Sequence, residues 1–140
     1  MSYPEFLGAL AEALGALGKR AEALATVDQA LAKVAAGGER WYLPELIRLK
    51  GELVGRGGDD RSMRAAGECF SEALDVAREQ GALFWELRAA SSLARLRLRQ
   101  DRTEDARQGL AAVYGRFTEG FEISDLRGAK TLLDELAARR

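Results

Sequence analysis

The stretch on which the fold depends is AGECFSEA, residues 66–73, in which Ala66, Phe70 and Ala73 follow the spacing A-x3-F-x2-A. The same spacing of apolar residues occurs once before this stretch and once after it, at intervals of roughly 40 residues. The earlier copy is Ala23, Val27 and Ala30, and the later copy is Ala106, Leu110 and Val113. A recurrence of this length, with two helical segments in each unit, is typical of a helical-repeat array.

Apolar residues between these copies recur at helical spacing, and turns rich in Gly or Asp separate the helical segments. A second duplication, residues 41–53 and 85–98, places a tryptophan at the start of two of the segments. The pattern predicts an all-α fold of three helix pairs followed by a C-terminal capping helix. We expect one domain over residues 1–140, with the pairs at about 4–36, 41–80 and 83–115 and the capping helix at about 124–139.

Residue types at the predicted helix ends refine these boundaries. Ser2, with Glu three positions later, predicts a capped start of the first helix. The second helix of the middle pair is expected to begin at Arg64, after a loop rich in Gly and Asp, and Ser124 is expected to cap the last helix. The aromatic segment 114–121 is interpreted either as a wedge that holds the closing helix against the last pair or as a partner epitope.

The composition restricts the class of protein. Hydrophobic residues make up 47% of the 140 residues and charged residues 31%, which is enough apolar material for one continuous core. The formal net charge of −1 argues against binding to nucleic acid or to an anionic membrane surface. Because no apolar run approaches the roughly 20 residues that span a bilayer, and because no signal segment is recognisable, we expect a cytoplasmic protein.

The sequence offers little for catalysis. There is no histidine, so a His general base, a Ser-His or Cys-His dyad and a His metal ligand are all excluded. Cys69 is the only cysteine, and we interpret it as a buried thiol rather than a reactive one. Asp59 and Asp60 lack the ligand spacing of a calcium site and are assigned to a loop, and residues 15–20 fail the pattern of a phosphate loop. We therefore expect no enzyme activity, no cofactor and no metal.

The helix pairs resemble tetratricopeptide repeats. Ala66, Phe70 and Ala73 match the A-x3-F-x2-A motif of that family's second helix. In the first pair, positions of the family's first helix are filled by Leu7, Leu10, Ala11 and Leu14, whereas Lys50 and Arg97 depart from the pattern in the later pairs. The resemblance implies a short right-handed α-solenoid in which the first helix of each pair lines a concave groove.

A second resemblance covers most of the chain. Residues 39–43, 49–53, 85–90 with 92–96, and 113–115 with 117–121 resemble the C-terminal repeat region of bacterial multidomain regulators, whereas Arg116 stands where a tryptophan is expected. Those proteins carry an AAA-type ATPase module, often with an adenylate/guanylate cyclase or transcription-activation domain upstream. The catalytic parts are not in this sequence, so the resemblance implies a non-catalytic protein–protein interaction module of a bacterial signalling or regulatory system.

The groove implied by the tetratricopeptide register contains a row of arginines. On a helix with 100° per residue, Arg88, Arg95 and Arg99 fall on one face and are suited to bidentate contacts with carboxylates. The full set of groove candidates is Glu5, Glu12, Ile47, Gly51, Arg88, Ser91, Arg95 and Arg99. We expect a protein or peptide partner with an acidic segment; the alternative is a solvated face with local ion pairs to Glu86 or Asp101.

The first helix is expected to self-associate. It carries few charges, and Phe6, Leu7 and Leu10 would leave an exposed apolar patch, so we predict a homodimer or a place in a longer repeat array. The alternative function is a small-molecule (inducer) sensor of a signalling regulator. A deep enclosed pocket lined by the arginines would favour the sensor, and a shallow open trough would favour a peptide or protein partner.

Overall fold

The computed structural model describes residues 2–139, and this part of the chain consists of helices and turns without a β-strand. Seven α-helices follow one another. They are α1 (Tyr3–Ala16), α2 (Arg20–Ala35), α3 (Leu43–Gly55), α4 (Asp60–Gln80), α5 (Leu83–Arg99), α6 (Thr103–Tyr114) and α7 (Ser124–Ala138). The prediction of an all-α fold is therefore confirmed.

The starts of three helices illustrate how local residues set the boundaries. At α1 the predicted capping box forms: the Ser2 hydroxyl accepts from the Glu5 N–H at 3.2 Å, and the Glu5 carboxylate accepts from the Ser2 N–H. Helix α4 begins at Asp60 rather than at the predicted Arg64, because the Asp59 carboxylate accepts from the N–H of Ser62 at 2.7 Å. The carboxylate assigned to a loop is thus a helix cap.

The start of α7 also differs from the prediction. The N-cap is Ile123, not Ser124, and no side chain caps this end of the helix. Ser124 already has helical geometry as the first residue of α7, so its hydroxyl does not stand in the capping position. The expected cap at Ser124 is therefore wrong, and the first N–H groups of α7 receive no side-chain acceptor.

The helices pack in a regular pattern. Each helix contacts the next one along the chain, and the odd-numbered helices also contact one another in the order α1, α3, α5, α7. Within residues 2–139 the even-numbered helices do not contact one another. The odd-numbered helices consequently lie side by side and form one face of the molecule, which we call the odd-helix face.

Small residues bring neighbouring helices close together. The three recurring alanines, Ala23, Ala66 and Ala106, are each 0% exposed, as the repeat pattern predicted. At Gly51 of α3 an added Cβ would lie only 2.6 Å from a ring carbon of Phe70 in α4, so the two helices approach more closely than alanine would allow. The aligned tryptophans of the second duplication, Trp41 and Trp85, also meet, with ring centroids 6.2 Å apart.

The segment 114–121 joins α6 to α7. Tyr114 and Phe117 are partly buried against the core, and the Tyr114 ring lies 5.8 Å from the ring of Phe121, measured between centroids. Arg116 forms an ion pair at 2.8 Å with the buried carboxylate of Glu86 in α5. These contacts anchor the segment, as the wedge interpretation expects, although Phe121 itself stays largely exposed.

No helix in the described residues combines the length and the apolar composition needed to cross a membrane. Within the same residues, 2–139, no cluster of Asp, Glu or Cys side chains has an arrangement that would hold a metal ion.

Candidate binding site on the odd-numbered helices

The centre of the odd-helix face is an ion network between α3, α5 and α7. Arg88 of α5 donates from Nε and Nη2 to the Glu45 carboxylate of α3, at 3.0–3.1 Å. From Nη1 it donates to both oxygens of Asp125 in α7, at 2.9 and 3.0 Å. Because α5 lies between α3 and α7, one guanidinium group ties all three helices together.

The network continues along α3. Arg48 donates from Nε to Glu45 at 2.9 Å and from Nη1 to the Ser92 hydroxyl at 3.2 Å. Ser92 in turn donates to a carboxylate oxygen of Glu52 at 2.6 Å. Glu45, which is only 4% exposed, therefore receives hydrogen bonds from two arginines, and this pairing is what allows a carboxylate to be buried.

The electrostatics of the network follow from burial and pairing. Burial by itself would lower the pKa of Arg88, but its hydrogen bonds and charge interactions with Glu45 and Asp125 outweigh this effect and raise it above the usual value. Tyr42, at the start of α3, has its pKa raised to about 12 by burial and, secondly, by the negative charge of Glu45. The Arg88 guanidinium group therefore keeps its positive charge at neutral pH, directly opposite the carboxylates of Glu45 and Asp125.

Arg95 and Arg99 differ from Arg88 in their exposure and in their lack of bonded partners within residues 2–139. Both are exposed, and neither forms a hydrogen bond or an ion pair with any residue that the structure describes. The local ion pairs to Glu86 or Asp101, considered as an alternative for the arginine row, are not formed by Arg88, which bonds to Glu45 and Asp125 instead. Glu86 is occupied by Arg78 and Arg116 on a different face of α5.

Three open depressions lie along the odd-helix face. The first, of about 280 Å³, lies between α1, α3 and α5 and is lined in part by Glu12, Glu52 and Arg88. The second, of about 300 Å³, lies between α5 and the first turn of α7. The third, of about 480 Å³, lies between α3, α4, α5 and α7, where apolar side chains are flanked by Arg95 and Arg99. A further depression of about 520 Å³ lies between α4 and α5, away from the network.

The predicted groove residues are only partly brought together. Glu12 and four residues of α5 line the depressions of the odd-helix face; the four are Arg88, Ser91, Arg95 and Arg99. Ile47 and Gly51 lie elsewhere, because Ile47 is buried in the main core and Gly51 packs against Phe70 of α4. Glu5 is engaged in the capping box of its own helix.

The acidic side of the network was missed by sequence reasoning. Glu45, Glu52 and Asp125 were not among the groove candidates, although they neutralise Arg48 and Arg88. A signal for the network exists in the second duplication: Arg48 and Ser92 lie 44 residues apart, occupy equivalent repeat positions and are hydrogen-bonded to each other. A search for polar residues at equivalent positions of successive repeats would therefore have revealed the ion network.

The outer side of α1 is apolar, and among the helices of residues 2–139 only α2 and α3 contact α1, both from its inner side. Phe6 and Leu10 are 51% and 41% exposed, as the self-association hypothesis requires. Leu7, the third candidate, is buried against α2 and α3 in the core and is not available to a partner. Tyr3 and Leu17 extend the exposed apolar row at both ends of the helix; the Tyr3 hydroxyl also accepts a hydrogen bond from Gln29 of α2 at 3.1 Å, and the Lys33 ammonium group lies 5.5 Å from the centre of its ring.

Comparison with known proteins adds no further constraint: no family model, no curated protein and no solved structure matches this chain. The tetratricopeptide assignment consequently stays a prediction.

Proposed function

We propose that this chain is a non-catalytic protein-interaction module of a bacterial signalling or regulatory system, built as a short solenoid of three tetratricopeptide-like helix pairs. It binds a segment of a partner protein on the odd-helix face and self-associates through α1. The observation that carries the proposal is the pair Arg95 and Arg99, two exposed guanidinium groups without a partner in the described residues, beside an apolar depression of about 480 Å³.

The contact pattern supports the repeat architecture. In an array of stacked helix pairs, the first helix of each pair contacts the first helix of the next pair, and the second helices cover the other side. The contacts among α1, α3, α5 and α7 follow this order, and small buried residues recur where paired helices meet. The handedness and the family assignment belong to the proposal.

The chemistry of the site favours an acidic segment that also carries a large apolar residue. Arg48 and Arg88 are already neutralised within the network, so the available positive charge is that of Arg95 and Arg99. The two carboxylates that also line the depression have partners of their own: Glu52 is bonded to Ser92, and Glu135 is paired with Arg139. Leu98 and Leu132 line the depression beside these arginines and offer apolar surface to a side chain of the partner. A segment with a carboxylate near a leucine-sized residue would satisfy both features.

The ion network prepares this face for binding. It fixes α3, α5 and α7 relative to one another, so the backbone positions of Arg95 and Arg99 and the depression beside them are set before a partner arrives. Preorganisation of this kind strengthens binding, because less conformational freedom is lost when the complex forms.

Self-association through α1 is proposed from the shape of its exposed row. Five exposed apolar residues along α1 and its C-terminal end alternate in spacing between three and four, as in the contact row of a coiled coil. They are Tyr3, Phe6, Leu10, Ala13 and Leu17, whereas Ala9 and Ala16 are exposed outside this row. The solvent side of α7, at the opposite end, carries Lys130, Asp134 and Glu135, so stacking α1 of one copy on α7 of another would bury charge. Two α1 helices packed against each other around a twofold axis avoid this.

The binding proposal is tested with a defined probe. The probe is a fluorescent peptide with a leucine three residues before two glutamates, and its control is the same peptide with glutamines in place of the glutamates. We expect the chain to bind the acidic peptide better than the control, and the double variant Arg95→Glu/Arg99→Glu to lose affinity by at least about tenfold, because each attraction becomes a repulsion.

A matched variant distinguishes loss of the binding site from the effect of a changed net charge. Arg61→Glu/Arg64→Glu changes the charge by the same amount on the exposed first turn of α4. Its peptide affinity should stay within about twofold of the original chain, since rim charges far from a site act only through screened interactions. Equal losses in the two double variants, or equal binding of the acidic and neutral peptides, would refute the assignment of the site.

A further inference from the structure

The depression of about 300 Å³ between α5 and the start of α7 has features that the peptide-binding proposal does not use. Its lining includes Ser91 and Arg95 of α5 and Ser124 and Asp125 of α7. This volume lies at the lower end of the range for ligand pockets, roughly 300–1,000 Å³. Gly128 also lines it, and a Cβ added there would meet no atom within 4 Å, so the space in front of this residue is open.

Ser91 supplies an unused hydrogen-bonding group. The residue is only 6% exposed, yet its hydroxyl forms no hydrogen bond with any described residue. Every fully buried side-chain nitrogen and oxygen within residues 2–139 does have a partner, so the Ser91 hydroxyl must retain some contact with solvent. Because Ser91 lines the depression, we take the depression to be the solvent space that its hydroxyl reaches.

The first turn of α7 supplies further donors. The N-cap residue Ile123 has no side-chain acceptor, so within residues 2–139 no side chain caps the first N–H groups of the helix. The helix dipole adds a partial positive charge at the same end, and such an end favours anions. Because Ser124 and Asp125 line the depression, this helix end faces it from the side opposite α5.

The charges around the depression leave one cation free. Arg48, Arg88 and Arg95 line it, against the single carboxylate of Asp125. That carboxylate is already held by Arg88 at 2.9 and 3.0 Å, and Arg48 is occupied by the α3 carboxylates. Arg95 alone has no partner among the described residues, so it provides the positive charge that remains for a ligand.

We infer that this depression, defined by Ser91, Arg95 and the first turn of α7, binds the oxyanion group of a small molecule. The group is a phosphate or a carboxylate, since both present several acceptor oxygens to a hydroxyl, a guanidinium group and helix N–H donors. The inference shares two residues with the depression of the peptide-binding proposal, Arg95 and Gly128. It is tested without a partner peptide, so the two can fail separately.

The experiment is a titration of the isotope-labelled chain with sodium phosphate and, separately, with sodium acetate, at constant ionic strength and neutral pH, followed by amide chemical shifts. We expect saturable shifts at the amides of Ser91, Ser124 and Asp125. The salt that binds more tightly identifies the group as phosphate or carboxylate. Absence of a saturable shift with both salts up to roughly 100 mM, which corresponds to negligible affinity, would overturn the inference.

Three variants make the test specific. Ser91→Ala and Arg95→Gln should each weaken binding about tenfold, the loss expected for one hydrogen bond to a charged group. Arg99→Gln removes the same charge one turn away, outside the lining, and should change the affinity by less than about twofold. Equal losses in the two arginine variants would show general attraction and overturn the inference.

Gly128→Leu tests the location without changing any charge. The open space at this position accommodates the new side chain, which should fill the depression and abolish binding while the circular dichroism spectrum and the thermal midpoint are retained. An unchanged affinity in this variant would place the anion outside the depression and would also overturn the inference.

Discussion

Replacement of Arg88 by methionine should destabilise the chain through the ion network. Methionine keeps most of the apolar stem but removes the donors to Glu45 and to Asp125. Breaking a fully buried ion pair costs about 3–5 kcal/mol. Here Glu45 keeps its bonds to Arg48, and the side chains of Arg88 and Asp125 are 26% and 29% exposed. We therefore expect the free energy of unfolding to fall by roughly 2–3 kcal/mol, below the value for full burial.

The assay is equilibrium unfolding in urea, followed by far-UV circular dichroism. With a slope of about 2 kcal/mol per molar urea, the expected loss lowers the midpoint by roughly 1–1.5 M. The matched control is Arg95→Met on the same helix, which removes an unpaired exposed guanidinium group and should change stability by less than about 0.5 kcal/mol. Equal midpoints for the two variants would refute the conclusion that the network holds α3, α5 and α7 together.

Further predictions concern helix packing, self-association and alkaline stability. Gly51→Ala should lower the free energy of unfolding by about 1–2 kcal/mol, because the added methyl group would overpack against Phe70. Gly128→Ala, where the space is open, should raise the free energy of unfolding by about 0.5–1 kcal/mol through the better helix propensity of alanine. Equal changes for the two variants in urea unfolding would contradict the close approach of α3 to α4. Light scattering at tens of micromolar should report a dimer that Phe6→Glu/Leu10→Glu converts to a monomer, and a monomeric original chain would refute self-association. Because the pKa of Tyr42 is raised to about 12 in the folded chain, the free energy of unfolding should fall as pH rises from about 10 to 12; an absorbance titration in which every tyrosine ionises near 10 would contradict this.

The distribution of charge on the odd-helix face explains why three arginines at helical spacing have different roles. Arg88 lies where α5 is flanked by both α3 and α7. It pairs there with the carboxylates of Glu45 and Asp125 and links the three helices. Arg95 and Arg99 lie further along α5, where the same neighbours present no carboxylate bonded to them. Binding is therefore proposed at the C-terminal half of α5, and the N-terminal half is assigned to stability.

The helices and their order could be read from the residues because helix formation depends on near neighbours. The spacing of Ala66, Phe70 and Ala73, the capping box at Ser2 and the Gly-rich turns are local patterns, and the helices occur where these patterns lie. The misassigned starts of α4 and α7 concern only capping, where adjacent candidate residues such as Asp59 and Ser124 compete within a few positions.

The pairing of side chains in the candidate site depends on how α3, α5 and α7 face one another, which the sequence patterns did not contain. Glu45 and Arg88 are 43 residues apart, and Arg88 and Asp125 are 37 apart, so their pairing requires the rotation and spacing of three packed helices. The helical spacing of 100° per residue correctly placed Arg88, Arg95 and Arg99 on one face of α5. It gave no information on which residues of α3 and α7 lie opposite that face. For the same reason Gly51 and Leu7 were placed at surfaces, whereas packing against α4 and against α2 and α3 buries them. Periodicity is a property of one helix, and the partners of each side chain are a property of the assembled layer.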